Sequence, residues 1–110
     1  MYDPVTTNST VVPFCSFIIP SYNEAPQIHT TLDQIKTYMD ARKYDWEIIV
    51  VNDGSEDSTE KIVKSFCPSD PRIQILTIAH SGKGWAVKTG MMQAKGTLRF
   101  MCDADLSMPI

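Results

Sequence analysis

Apolar residues along the chain gather into four short dense runs, and the stretches between them repeat apolar residues at helical spacing. The runs are Phe14-Cys15-Ser16-Phe17-Ile18-Ile19, closed by Pro20; Glu47-Ile48-Ile49-Val50-Val51; Ile73 to Ile78; and Leu98-Arg99-Phe100-Met101-Cys102. Short runs rich in β-branched and aromatic residues read as strands, and the first two as strands covered on both faces. Ile28, Leu32, Ile35 and Met39 step by four, three and four, which is one apolar face of a helix, and Pro26 suits its first turn. A second helix is expected from near Asp57 or Ser58, with Ser58 as its cap and Ile62, Val63 and Phe66 turned inward; Pro68 and Pro71 end it. A third, short helix is expected from about Trp85 to Ala94, with Trp85, Val87 and Met91 in the core and Gly96 as its stop.

Strands alternating with helices predict an α/β fold, four mainly parallel strands joined by right-handed crossovers. The prediction is one domain over 14–110 behind a loose polar arm over 1–13. In open parallel sheets ligands bind beyond the carboxyl ends of the strands. Every polar, glycine-bearing cluster falls there: Tyr22, Asn23 and Glu24 after the first strand, Asn52 to Ser55 after the second, Ser81 to Gly84 after the third, Asp103 and Asp105 after the fourth.

Composition narrows the classes. With 110 residues, 43% hydrophobic and 21% charged, the chain suits one modest core. A net charge of -3 argues against a nucleic-acid partner, which needs a basic face. Three cysteines, Cys15, Cys67 and Cys102, form no CxxC pair. They read as free thiols in a reducing, cytoplasmic setting. No apolar stretch reaches the ~20 residues of a membrane span.

The acids after the fourth strand are the sharpest chemical signal. Asp103 and Asp105 at i and i+2 can face one ion where the chain turns, and hard oxygen donors suit Mg2+ or Mn2+. The plain alternative is a solvated acidic turn. Asp53 can accept from a base N–H or a ribose hydroxyl, or can close an Asx-type turn. Gly82-Lys83-Gly84 lets backbone approach a ligand while Lys83 offers a positive charge to phosphate. It is not a Walker A loop, since Gly84 stands where Ser or Thr is required. Tyr22 can stack on a base and Glu24 can meet a ribose, or Glu24 can serve the start of the helix. His80 reads as a surface loop histidine rather than a ligand.

Pro20-Ser-Tyr-Asn-Glu24, Ile49-Val-Val-Asn-Asp-Gly-Ser55, Gly82-Lys-Gly84 with Gly90 downstream, and Asp103-Ala-Asp-Leu-Ser107 stand in the order seen in family 2 glycosyltransferases. From about Phe14 onward the chain resembles that family, most of all the dolichyl-phosphate and polyprenyl-phosphate sugar synthases of the glucosyl or mannosyl type. The resemblance implies the Rossmann-like, nucleotide-sugar-binding half of a GT-A fold. It also implies inverting transfer of a hexose from a UDP- or GDP-sugar to a polyprenyl or dolichyl phosphate at a membrane surface, by a protein peripheral to the cytoplasmic face. By that likeness Pro20, Tyr22, Glu24, Asp53, Gly54, Lys83 and Asp103 belong to the nucleotide-sugar site. Asp103 and Asp105 hold Mg2+ or Mn2+, with Ser107 where some relatives place a metal-binding glutamine. The family's acceptor half follows the Asp-Ala-Asp motif, so no catalytic residue is assigned and weak nucleotide binding is expected of this chain alone. A non-catalytic nucleotide-binding fragment and a family 2 transferase acting on a saccharide hydroxyl are the alternatives. A phospho-acceptor signalling domain ranks below both, because it wants paired acids after the first strand and Pro20-Ser21-Tyr22 stands there.

Overall fold

The computed structural model describes residues 14–42 and 44–105. The elements run β1 (Cys15–Ser21), α1 (Ala25–Asp40), β2 (Trp46–Asp53), α2 (Thr59–Phe66), β3 (Ile73–Ile78), α3 (Lys83–Gln93) and β4 (Leu98–Met101). All strand pairs are parallel, in the order β3-β2-β1-β4. The chain therefore winds outward from β1 through β2 to β3, then returns to place β4 on the other side of β1. The order reverses between β1 and β4, and that is where a crevice opens in a sheet of this kind.

Strand alternation divides the core. Cys15, Phe17 and Ile19 of β1 and Trp46, Ile48 and Val50 of β2 face Ile28, Leu32, Ile35 and Met39 of α1 and Val63 of α2. The intervening Ile18, Ile49 and Val51 face Ala86 of α3, with Ala94, Leu76, Ile78 and Met91 around them. The four α1 positions predicted from spacing are all buried. β1 and β2 are buried on both faces except at Pro20, which is half-buried.

Acids at both ends of β2 secure α3. Asp53 accepts from the Ser81 N–H at 2.7 Å and the Gly82 N–H at 2.9 Å, just before the helix starts. Glu47, buried at the opposite end, accepts from the Lys95 N–H at 2.7 Å and from Ser16 Oγ at 2.6 Å. Gln74 Nε2 also donates to it, at 3.2 Å. Six strand residues rise about 20 Å, while the eleven residues of α3 rise about 16 Å. Thus a single strand can clamp both termini of the helix that crosses it.

Several local expectations need correction. Ser58 occupies the α2 cap position but makes no side-chain cap bond. Asp57 Oδ1 instead accepts from the Thr59 N–H at 2.9 Å, because one residue earlier the shorter turn aims the carboxylate at it. The third helix starts two residues before Trp85, at Lys83. Trp85 is 51% exposed rather than buried. The small residues Ala86 and Gly90 face the sheet, so the indole one step away points outward, where Lys88 lies 5.5 Å over its ring. Val87 and Met91 are half-buried. Gly96 does not stop the helix: Ala94, in extended conformation, caps it. Gly96 is needed for close approach, since a Cβ there would lie 2.5 Å from Ser16 Oγ. Among the described residues β4 is an edge strand, and its four side chains are exposed. The 1–13 arm and Ser107 lie outside the described residues.

Two predictions follow from the packing. Gly90 carries α3 against β1, and a Cβ there would come 2.4 Å from Ile18 Cγ2 and 3.0 Å from Val51 Cγ2. Gly90→Ala should lower stability in chemical denaturation by about 1–3 kcal/mol, despite a helix-propensity gain of about 1 kcal/mol. At the opposite rim Arg72 donates to both oxygens of Asp70 at 2.9 Å, and Lys36 Nζ lies 3.1 Å away. The Arg72 hydrogen bonds hold the Asp70 carboxyl well below the usual carboxylate range, against the opposing effect of its burial. A depressed folded-state pKa means that the stabilisation is full above the unfolded value, about 3.9, and is lost as pH falls through the folded one. Asp70→Asn should cost about 1–2 kcal/mol at pH 7, allowing for the exposed Arg72 and Lys36. In thermal melts the gap from wild type should narrow as pH falls below 4.

Candidate functional site

Beyond the carboxyl ends of the strands the loops enclose a cleft of about 450 Å³. Pro20, Tyr22, Glu24, Asp53, Gly82, Lys83, Asp103 and Asp105 line it, with Ser21, His80, Ala86 and Ala104. All four clusters identified on the strand ends thus meet at one place, and the two Asp-Ala-Asp carboxylates share it with Asp53.

The loops after β1 and β2 build each other. Asn23 stands at φ 55, in the left-handed region, which asparagine tolerates better than most residues. From there its side-chain oxygen accepts from the Glu56 N–H at 2.8 Å and the Asp57 N–H at 3.3 Å. In return Ser55 Oγ accepts from the Asn23 N–H at 2.9 Å, Thr59 Oγ1 from the Glu24 N–H at 2.9 Å, and Asp57 Oδ2 from the Ala25 N–H at 3.1 Å. Donors left over at the start of α1 are therefore satisfied by side chains 32 to 35 residues away in sequence. Asn52 closes the second loop by accepting from the Ser55 N–H at 3.1 Å.

Asp53 reaches the third loop. Its side chain is 4% exposed, and besides the Ser81 and Gly82 amides it meets His80 Nδ1 at 3.0 Å. His80 Nδ1 also lies 3.0 Å from the Asp53 carbonyl. A carbonyl only accepts, so Nδ1 carries the hydrogen and donates it there. The His80 ring stacks on Tyr22, centroids 4.2 Å apart. Gly54, at φ 70, makes room: a Cβ there would lie 2.8 Å from the His80 backbone nitrogen. Reading the sequence passed over His80 and gave Asn23 no separate task. The available signal for His80 was its place on the ligand-bearing rim, one residue ahead of the Ser81-Gly82-Lys83-Gly84 loop.

The fourth loop is hung from the core by its middle residue. Ala104 is buried, and Thr31 Oγ1 of α1 donates to its carbonyl at 2.5 Å. Cys102 extends the β4 ladder by donating its N–H to the Ile18 carbonyl at 2.9 Å. With Ala104 anchored, Asp103 and Asp105 on either side both border the cleft.

Electrostatically this pocket calls for positive charge. Burial, then the charges of Asp105, Asp57 and Asp103, push the Glu24 carboxyl above its ordinary pKa. Lys83 Nζ lies 2.7 Å from Asp103 Oδ1, and that hydrogen bond raises the lysine further. A cationic group thus already sits on the Asp-Ala-Asp motif. Among the described residues no three His, Cys, Asp or Glu side chains form a full metal cage. Two hard carboxylates that leave positions for phosphate oxygens and water are what Mg2+ or Mn2+ accepts, so the donor set fits such an ion.

Residues 16–110 match the family described as Glycosyl transferase family 2. A dolichyl-phosphate beta-glucosyltransferase of Trichomonas vaginalis is 40% identical over 98 residues, covering 84% of this chain and 29% of the relative. The mouse dolichyl-phosphate beta-glucosyltransferase is 34% identical, covering 82% and 30%. The chain thus spans about 30% of the length of these curated relatives. Among solved structures it resembles the Pyrobaculum calidifontis mannosyltransferase PcManGT in complex with GDP-Man and Mn2+, with TM-score 0.71 and 30% identity over 92% of this chain and 30% of that one. S. aureus TarS in complex with UDP-GlcNAc gives a TM-score of 0.72 at 25% identity, covering 83% and 26%.

The double capping at Asn23 predicts a stability effect. Asn23→Ala removes the shared acceptor and strains the backbone, and should cost about 2 kcal/mol. Asn23→Asp keeps an acceptor and should retain most of that. Urea denaturation of the two variants beside wild type measures the difference.

Proposed function

The chain belongs to glycosyl transferase family 2, and from that premise we propose that it is the donor-binding half of a hexosyltransferase. The donor is a UDP- or GDP-sugar and the acceptor a polyprenyl or dolichyl phosphate. One observation carries the reading: loops from all four strand ends bring an aromatic ring, a lysine and several carboxylates to the rim of one cleft. The solved relatives that hold GDP-Man with Mn2+ and UDP-GlcNAc support a nucleotide-sugar there. The dolichyl-phosphate glucosyltransferases support the lipid phosphate as acceptor.

Each residue has a task in this reading. Tyr22, beside Pro20 in the cleft lining, offers its ring to the base, and Asp53 accepts from a base N–H. Gly54 lets the loop after β3 close on Asp53. Glu24 meets the ribose, while Lys83 places a permanent positive charge beside the diphosphate. Asp103 and Asp105 would hold Mg2+ or Mn2+, and Ser107 completes the motif. When bound, the ion offsets the charge that builds on the departing diphosphate. A lipid-phosphate oxygen is already anionic at pH 7, so displacement at the anomeric carbon with inversion needs little help from a general base. The acceptor sets the location, at a membrane surface as a peripheral protein. Among the described residues no helix is long and apolar enough to cross a membrane.

Calorimetric titration with UDP and GDP tests the reading. Binding should strengthen at least tenfold when Mn2+ is added, and Asp103→Asn with Asp105→Asn should abolish that metal-dependent gain. Equal affinity with and without Mn2+ would defeat the metal assignment. Failure of both nucleotides to bind would defeat the donor site itself.

A further inference from the structure

The His80 ring makes two contacts that a bound nucleobase needs. It lies on Tyr22 at 4.2 Å between centroids, inclined by 29°, and its Nδ1–H donates to the Asp53 carbonyl at 3.0 Å, with Asp53 Oδ2 also 3.0 Å from that nitrogen. Stacked rings need roughly 3.5 Å on each side, so no base fits between two rings already at contact distance. Asp53 Oδ2 takes the Gly82 N–H, and the imidazole nitrogen stands 3.0 Å from the same oxygen, in the place a base N–H would take. Yet His80 is 56% exposed and Tyr22 41% exposed. The imidazole can therefore swing into solvent about its own side-chain bonds while the backbone, pinned through Ser81, Gly82 and Gly54, stays in place.

We propose that His80 is an internal stand-in for the nucleobase, resting on Tyr22 and Asp53 until a base bearing a ring N–H displaces it. The proposal rests on the donor-site reading above. It adds a selection rule. Uracil and guanine carry a ring N–H and can replace both the stack and the hydrogen bond to Asp53. Cytosine and adenine present an accepting ring nitrogen at the corresponding place, so they offer Asp53 no hydrogen in exchange for the one His80 withdraws and cannot replace it on equal terms. A closed ring also lowers the apparent affinity of the right nucleotide by the fraction of molecules in which it is open.

Proton NMR of the whole chain, with Mg2+ as the ion, tests this, and the two histidines of the sequence can be told apart by a His29→Gln variant. In the free protein the His80 ring protons should be displaced by the Tyr22 ring current. Saturating UDP or GDP should return them to the positions of an exposed histidine, and CDP at equal concentration should not. His80→Ala should bind UDP about 3- to 10-fold more tightly than wild type. His80 resonances that stay put while UDP binds would overturn the proposal, as would displacement by CDP at the same concentration or weaker UDP binding by the alanine variant. If neither wild type nor variant binds any nucleotide, it is the donor-site reading that falls.

Discussion

A carboxylate buried at the end of β2 holds the site together. Asp53 sits at the carboxyl edge of the sheet with its charge out of water, a costly position unless its oxygens are filled by donors. Two backbone amides fill them, with the His80 ring nitrogen 3.0 Å away on the Asp53 carbonyl, and all three groups come from the loop between β3 and α3. The same bonds that make the buried charge tolerable thereby position Gly82 and Lys83 at the cleft. Glu47 repeats the device at the opposite edge, so α3 is fixed at both ends by one strand and its small residues are pressed onto β1.

Topology then decides what meets Asp53. Because the sheet order reverses beside β1, the loops after β1 and β4 open away from each other at the crevice, and the loop after β2 flanks them. Glu24, Asp103 and Asp105 come close enough that the aspartate charges add to burial in raising the Glu24 pKa. Acids on separate loops are not brought together by packing preference, since like charges repel. Their convergence is tolerated because each loop is fixed from behind by neutral hydrogen bonds: Asn23 and Ser55 for the first two, Thr31 for the last.

Much of this was legible in the residues. Dense apolar runs located all four strands, and the four-three-four spacing picked out the buried face of α1. The parallel-sheet rule put Tyr22, Glu24, Asp53, Lys83, Asp103 and Asp105 on a common rim. What escaped depends on contacts distant in sequence. Trp85 looks like core because it is large and apolar, but the tight approach of α3 selects Ala86 and Gly90 instead. Gly96 looks like a helix stop because stops are often glycine, yet it is shaped by Ser16, 80 residues earlier. Ser58 is a good cap by type, but Asp57 reaches the amide. His80 carries no motif, and its importance comes only from the pairing of β2 with β3, which brings residue 80 beside residue 53.

The Asp-Ala-Asp turn follows the least supported strand, since among the described residues β4 pairs only with β1 and exposes all four of its side chains. A turn on such a strand would wander if its position depended on the ladder alone. The hydroxyl of Thr31, 1% exposed, donates to the carbonyl between the two aspartates, and this ties the turn to the most completely buried helix of the domain. Ala104 suits that arrangement because its small side chain enters the α1 side of the core while its neighbours remain at the cleft. An acid pair spaced by one small apolar residue is then a mechanical requirement as much as a chemical one. The middle residue grips the core so that two carboxylates can face outward together.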